Sequence, residues 1–474
     1  MSNPGQNDGG PDPVRDQVRW TWLIMGLAAT IVGFSVAPLL NEYLNRGNKD
    51  YVLWYYVGRA VSQGVEIYPK DGRIFPFMYP PSDAAILAIA SQAGPRLFVL
   101  LLVAVNTVAW VSAILLSVHL AAGRLSRQRL LYLVPSLGVV VYVHDTYLLG
   151  QPNLVLLACM LGAFACLNAR RQGLAGGLVA LAAAIKAFPF MAIGYLVYRR
   201  FWKATAALVV VLTLAMVALP MPFRGVAGAF EDVGTWTMGM VLRYDAGGIA
   251  QRPERGFGHK NQSLMALANR LLRAIPADGE AKDGWKVNLV DLDFATVNRI
   301  IMLSALLLGG LYVALMPPKA NRNRASSSIE YGLLVLLILM FSPLSFNYSF
   351  VWLLYPLTLA MHLGLEAPVR SAGRRILLGS VASSLGLLAL PLVSTRTAAG
   401  YGNSFFAAAV LLVSLGWRLG VEPGAGSPIQ VGARFARGSL DRLRGRGPTP
   451  TALPAPHVGT TVARPESFDP ARNR

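Results

Sequence analysis

Acidic residues are scarce in this chain: aspartate and glutamate number 24 against 43 lysines and arginines, a formal net charge of +19. Charged residues of either sign make up only 14% of the sequence, where a soluble domain carries about 25%. So little charge excludes an ordinary soluble domain. Cysteine is nearly missing. Cys159 and Cys166 both fall inside one apolar run, so they cannot staple a loop and read as small apolar side chains. Internal repeats between halves, which many transporters show, are not visible.

What the chain has instead is apolar length. Hydrophobic residues are 54% of the total, mean hydropathy is +0.47, and several runs reach about 20 residues, enough to cross a bilayer as a helix. The sequence therefore predicts an all-α polytopic membrane protein. In such a protein a positive excess reports topology and contact with anionic membrane lipids, not nucleic acid.

Lysine and arginine placement sets the expected topology. Arg15 and Arg19 precede a first span, Trp20 to Leu40, which puts the N-terminus inside. Its length, and the want of a small-residue cleavage site, mark it as a retained span. Further spans follow at Leu97–Leu120, Leu130–Val143, Asn153–Leu167, Ala204–Pro220, Ile300–Met316, Tyr331–Phe341, Phe350–Leu363, Ile376–Val393 and Phe405–Trp417. The stretch Leu174–Tyr198 has basic residues at both ends and Lys186 near its middle. It reads as a hairpin of two half-length helices turning at Lys186–Pro189, or as one tilted helix with Lys186 at mid-membrane. Either way an intramembrane lysine needs an anion. The total is about 10–12 membrane segments with both termini inside. The expected divisions are a disordered cytoplasmic N-terminus (1–19), a membrane domain (20–418) with outer loops at 41–96 and 221–298, and a basic, Pro-rich disordered tail (419–474).

The polar breaks fall on one side of this map. Asp50 opens an aromatic segment, Tyr51–Gln63, whose spacing suits an amphipathic helix on the membrane surface, with Gly64 as its stop. A helix start favours an ionised carboxylate, and the plainer reading of Asp50 is a helix cap. His144-Asp145, Gln151, Lys186, the loop His259–Ser263 and Asn347-Tyr348 lie on that same outer side. Leu264, Leu267, Leu271 and Leu272 then give a helical apolar face. His119 and His362 lie inside apolar runs near the inner side and read as structural.

These residues carry a resemblance. Asp50 before an aromatic helix is followed by G-x-x-x-Y (Gly64–Tyr68), F-x-Y-P-P (Phe77–Pro81), G-Q-x-N (Gly150–Asn153), A-x-x-K-x-x-P (Ala183–Pro189), N-Q-S-L (Asn261–Leu264) and S-P-x-S (Ser342–Ser345). In this order the chain resembles a GT-C superfamily glycosyltransferase, most closely family 87, the polyprenyl-phosphate-mannose-dependent mannosyltransferases of the phosphatidylinositol-mannoside type. One motif departs: where the family continues W-x-H-H, this chain has Phe346-Asn347-Tyr348-Ser349.

The resemblance implies an inverting transfer of a sugar, mannose by family weight, from a polyprenyl-phosphate donor to a glycolipid or glycan hydroxyl. It places the reaction at the outer face of the plasma (inner) membrane, in the cell envelope, without metal or cofactor. Asp50 would be the base. Lys186 and Lys260 would hold the donor phosphate, with His259, Gln151, Asn261, Gln262 and Tyr79 contacting sugar or phosphate. Asp83, His144, Asp145 and Tyr348 stand in reserve. Asp83 also reads as a helix cap, and Tyr79 and Trp54 as membrane-belt aromatics. His144-Asp145 looks like a metal or acid/base pair, though adjacent residues rarely face one point. Two other classes compete: a transporter or flippase of a lipid-linked sugar, and a non-catalytic membrane subunit.

Overall fold

A computed structural model describes residues 13–43, 49–68, 77–242, 244–245, 248–249, 256–278, 284–421 and 426–430. The expected N- and C-terminal tails lie mostly outside these residues. The described chain is a helical bundle whose only sheet is a two-residue antiparallel ladder, Tyr244–Asp245 with Gly248–Ile249. Seventeen helices follow in order. They are α1 (Pro13–Tyr43), α2 (Lys49–Ser62), α3 (Pro81–Ala90), α4 (Pro95–Ala122), α5 (Leu130–Leu149), α6 (Asn153–Asn168), α7 (Gln172–Ile185), α8 (Ala192–Tyr198) and α9 (Trp202–Ala218). Then come α10 (Met221–Trp236), α11 (Leu264–Leu272), α12 (Phe294–Leu315), α13 (Arg324–Phe341), α14 (Leu354–Glu366), α15 (Ala372–Ala389), α16 (Pro391–Gly400) and α17 (Asn403–Gly420).

Among the described residues, seven helices are long and apolar enough to cross a membrane, or up to nine if each bent pair counts as one span. Three shorter apolar helices, Asn153–Asn168, Gln172–Ile185 and Phe188–Tyr198, accompany them. The protein is thus an all-α, multi-pass membrane protein; fewer of the described helices than the expected 10–12 are long enough to span, and the expected span Ile376–Val393 is broken by a 90° bend between α15 and α16.

The bundle has two distinct ends. At one end buried charge ties the helices together. Glu330 in α13 is fully buried and takes both Arg199, which follows α8, and Arg322, at 3.3 Å. Arg199 also donates to the Pro317 carbonyl after α12, at 2.9 Å. Tyr331 stacks on Phe164 at 4.3 Å and donates to Asn168 at the end of α6. Ser328 donates to the Leu120 carbonyl of α4. The arginine-rich turns thus gather at one end, as charge counting requires. The expected span begins at Tyr331, but the helix starts at Arg324, capped by Asn323. That extension turns Glu330 inward, where an unpaired carboxylate would be costly.

The Lys186 stretch is a hairpin. α7 starts beside Arg171 at the basic end, and Gly176 packs so closely on the Ala204 carbonyl of α9 that a side chain there would collide. α7 and α9 therefore leave the basic end together. At Lys186 the backbone turns extended (φ −150°, ψ 122°), a 3-10 turn carries Pro189, and α8 returns to Arg199 at the basic end. With 14 residues at 1.5 Å each, α7 rises only about 21 Å, short of a 30 Å hydrocarbon core. The tip is therefore recessed.

The hairpin predicts same-side labelling. In a background with Cys159 and Cys166 replaced by alanine, single cysteines at the exposed positions Gly173 and Arg200 should react with an impermeant maleimide from one side of sealed vesicles. Reaction from opposite sides would mean a single tilted span.

Candidate functional site

At the end away from Glu330 and its arginines, α2 lies across the turn between α5 and α6. Tyr51, Trp54, Val57 and Val61 form its buried face. Tyr51 donates to the Tyr147 carbonyl at 2.7 Å, and Trp54 Nε1 to the Gly150 carbonyl at 3.2 Å. Gly150 has φ +71°, and a Cβ there would fall 2.8 Å from the Tyr51 ring, so the G-Q-x-N motif needs its glycine. The aromatic stripe of α2 is therefore spent on protein contacts, not on a membrane surface. Trp54 and Tyr79 are not belt residues either: both are buried and stack on each other at 4.9 Å.

This clamp sets half-buried Asp50, in the first turn of α2, over Gln151. Gln151 Nε2 donates to Asp50 Oδ2 at 2.6 Å, and Gln151 Oε1 accepts from the Tyr79 hydroxyl at 2.6 Å. Tyr79 is held in turn. Buried Tyr68 donates to its carbonyl at 2.6 Å, and Trp236 Nε1 donates to the Met78 carbonyl at 3.0 Å. Arg224, paired with Asp232, donates to the Gly64 carbonyl at 2.5 Å. The G-x-x-x-Y and F-x-Y-P-P motifs are thus the mounting of one tyrosine.

Lys186 faces this chain from the hairpin tip. Its side chain is 8% exposed, and Nζ has no hydrogen-bond partner. Nζ lies 5.1 Å from the Tyr348 ring centroid, 5.2 Å from Tyr79 and 5.9 Å from Phe188. Aromatic faces attract an ammonium by about 0.5–2 kcal/mol each, against several kcal/mol for taking it out of water. An anion is the group that would close the gap. Asp50 and Asp83 are the carboxylates whose fields reach it. Ser82 donates to the Ala184 carbonyl at 2.5 Å, which holds α3 against α7 and keeps Asp83 near Lys186. Burial pushes the Asp83 carboxyl well above the usual range, and Lys186 pulls it partly back. Asp83 also lines an apolar slot of about 190 Å3 with Trp54, Tyr79 and the α4 residues Leu101 and Val105.

The loop carrying Lys260 reaches the site through its backbone. The Asn347 amide donates to the Lys260 carbonyl at 3.2 Å, and Asn347 precedes Tyr348. Lys260 itself is exposed. Asn261 donates to the Gly256 and Pro343 carbonyls, and Gln262 Nε2 to those of His259 and Ala399. The Asn261 side chain and the Gln262 backbone amide, which donates to the Ser345 carbonyl at 2.8 Å, thus fasten loop 256–263 onto the Ser342–Ser345 turn, while the Gln262 side chain ties it to the end of α16. His259 packs on Trp285, and burial pushes its imidazole down. α11 forms with Ser263 as its cap. His144 lies 3.7 Å from Asp145 and packs on Phe34 of α1. Among the described residues no three His, Cys, Asp or Glu cluster as a metal site.

Sequence reasoning missed Arg270. Fully buried, it donates to the carbonyls of Phe257, Gly258, Asn261 and Gly400, and burial lowers its pKa to about 9. In a helical-wheel reading it is merely the polar residue of a short loop helix. Leaving several buried carbonyls unpaired costs about 1–3 kcal/mol each. Arg270→Met should therefore lower the melting temperature in detergent by several degrees and open loop 256–263 to protease. An unchanged melt and digestion pattern would show that the arginine does not hold this loop.

The sequence profile of glycosyltransferase family 87 matches residues 77–343, more than half of the chain. Neither a curated protein nor a solved structure matches the chain. The matched region takes in Tyr79, Asp83, Gln151, Lys186 and loop 256–263, while Asp50 and Tyr348 lie outside it. The chain belongs to glycosyltransferase family 87, which implies a sugar donor and an acceptor.

Proposed function

We propose that this family 87 protein is an inverting glycosyltransferase that moves a sugar, mannose by family weight, from a polyprenyl-phosphate donor to a glycolipid or glycan hydroxyl. One observation carries the reading: the Lys186 ammonium is buried without a hydrogen-bond partner beside the Asp50–Gln151–Tyr79 chain. A phosphate monoanion or dianion complements that ammonium in charge, and lysine meets phosphate as a point charge. The apolar slot beside Asp83 and Tyr79 gives the donor's lipid tail a path toward α4.

The acceptor oxygen attacks the anomeric carbon as the bond from that carbon to the phosphate oxygen breaks. The leaving polyprenyl phosphate keeps the bonding electrons and is stabilised by Lys186. The acceptor's proton passes to Asp50, whose Oδ2 is held by Gln151 and so presents a fixed carboxylate. Asp83 is the weaker choice of base because burial favours its neutral form. The basic end matches a cytoplasmic face by the positive-inside rule, which supports a site on the outer side of the plasma membrane. Tyr348, standing where the family has histidine, packs on Lys186 and supplies an aromatic face in its place.

General-base catalysis contributes about 10²–10⁴-fold. Asp50→Asn, which preserves size, should therefore lower turnover from a lipid-phosphate sugar by about that factor with yield and melting temperature unchanged. Wild-type turnover in that variant would remove Asp50 from the mechanism. Lys186→Met should weaken donor binding, seen as a raised KM for the donor with the acceptor KM little changed. An unchanged donor KM would detach Lys186 from the phosphate. Tyr79→Phe keeps the ring and deletes one neutral hydrogen bond, so a loss of about fivefold to tenfold in rate is expected. A loss as large as that of Asp50→Asn would give the hydroxyl a direct role in the chemistry.

A further inference from the structure

We propose that an anionic diacyl phospholipid binds astride α17 at the basic end, at a site separate from the Asp50–Lys186 centre. Two apolar grooves flank this helix. One, of about 550 Å3, lies between α15 and α17 and is walled by Ile376, Ser380 and Phe406. The other, of about 380 Å3, lies between α17 and the α12–α13 pair and is walled by Leu308, Tyr312 and Leu337. Val413 and Trp417 border both grooves, and Val413, 70% exposed, is the ridge between them.

Both grooves run toward the end where the arginines gather. There α15 begins beside the end of α17, with Gly373 against the Trp417 ring, and Leu315 of α12 packs on Gly416 and Gly420. Arg370 and Arg375 are exposed and make no side-chain hydrogen bond or ion pair with any described residue. Arg374 reaches only two carbonyls, Leu365 and Ala367, each at 3.4 Å. Arg418 follows Trp417 directly. No aspartate or glutamate occurs between Glu366 and Glu422. Gln430 donates to the Gly420 carbonyl at 2.6 Å, and Ile429 lines the second groove at the same rim.

Charge and shape together select the occupant. Two grooves meeting at one ridge fit two acyl chains joined at one headgroup, and a single-chain lipid would fill only one of them. A tryptophan at the groove mouths sits where membrane proteins meet the headgroup layer. Arg370, Arg374, Arg375 and Arg418 outnumber the flanking Glu366 and Glu422, and such an excess favours an anionic headgroup, at about 1 kcal/mol per basic residue near the surface.

The test uses the full-length protein in detergent, titrated with phosphatidylglycerol or phosphatidylcholine, with retained lipid counted by native mass spectrometry. The wild type should hold one phosphatidylglycerol about tenfold more tightly than phosphatidylcholine. The double charge reversal Arg370→Glu/Arg375→Glu should erase that preference; both side chains are exposed, so the melt without added lipid should not change. Ala409→Trp, which fills the α15–α17 groove, should lower retention of both lipids. Equal retention of the two lipids by the wild type, an intact preference after charge reversal, or full retention in Ala409→Trp would each overturn the proposal.

Discussion

An ammonium held inside an apolar bundle without a partner anion is the constraint around which this protein is arranged. Burying such a charge costs several kcal/mol, and the three aromatic rings near Lys186 offset only part of it. The helical hairpin that carries the lysine is itself a costly device. It gives up a full span, breaks the backbone at Lys186 and holds its tip about 21 Å above the basic end. The tip is positioned by tight contacts, Gly176 on Ala204 and Ser82 on Ala184. That much structure is devoted to setting one cation beside one carboxylate chain.

The parts around that centre are braced from several directions. α2 is clamped on the α5–α6 turn by Tyr51 and Trp54, which fixes Asp50 over Gln151. The Tyr79 segment is held from within by Tyr68 and from α10 by Trp236 and Arg224. Loop 256–263 is held by Arg270, Asn261 and Gln262, and it carries the backbone on which Tyr348 is presented. At the opposite end Glu330 binds Arg199 and Arg322, so the hairpin's return leg is anchored where its first leg starts. Catalytic geometry tolerates errors of only a fraction of an ångström, and this bracing holds the loops around the site to fixed positions.

Asp50, Gln151, Tyr79 and Lys186 were all legible in the sequence, because polar residues in an apolar chain stand out and charge counting puts them at one end. The hairpin was legible for the same reason, from arginines at both ends of Leu174–Tyr198. The bracing was not. Tyr51 and Trp54 look like membrane-belt aromatics until the turn they bond, almost a hundred residues away in sequence, is known to lie beneath them. Asn261 and Gln262 read as sugar ligands because their side-chain donors are visible in a sequence and the carbonyls those donors meet are not. Glu330 sat outside the expected span because a helix start capped by Asn323 carries no apolar signal. Main-chain acceptors leave no trace in a sequence, and Tyr51, Trp54, Asn261 and Gln262 all bond to them.

The most direct test is a cryo-EM structure with a non-transferable phosphonate analogue of a polyprenyl-phosphate sugar. The account predicts the phosphonate within hydrogen-bond reach of Lys186 Nζ, the lipid tail in the slot beside Asp83 and α4, and the anomeric carbon facing Asp50. A headgroup bound against the His144–Asp145 face or at the arginine-rich end, with Lys186 still buried and unpartnered, would contradict it.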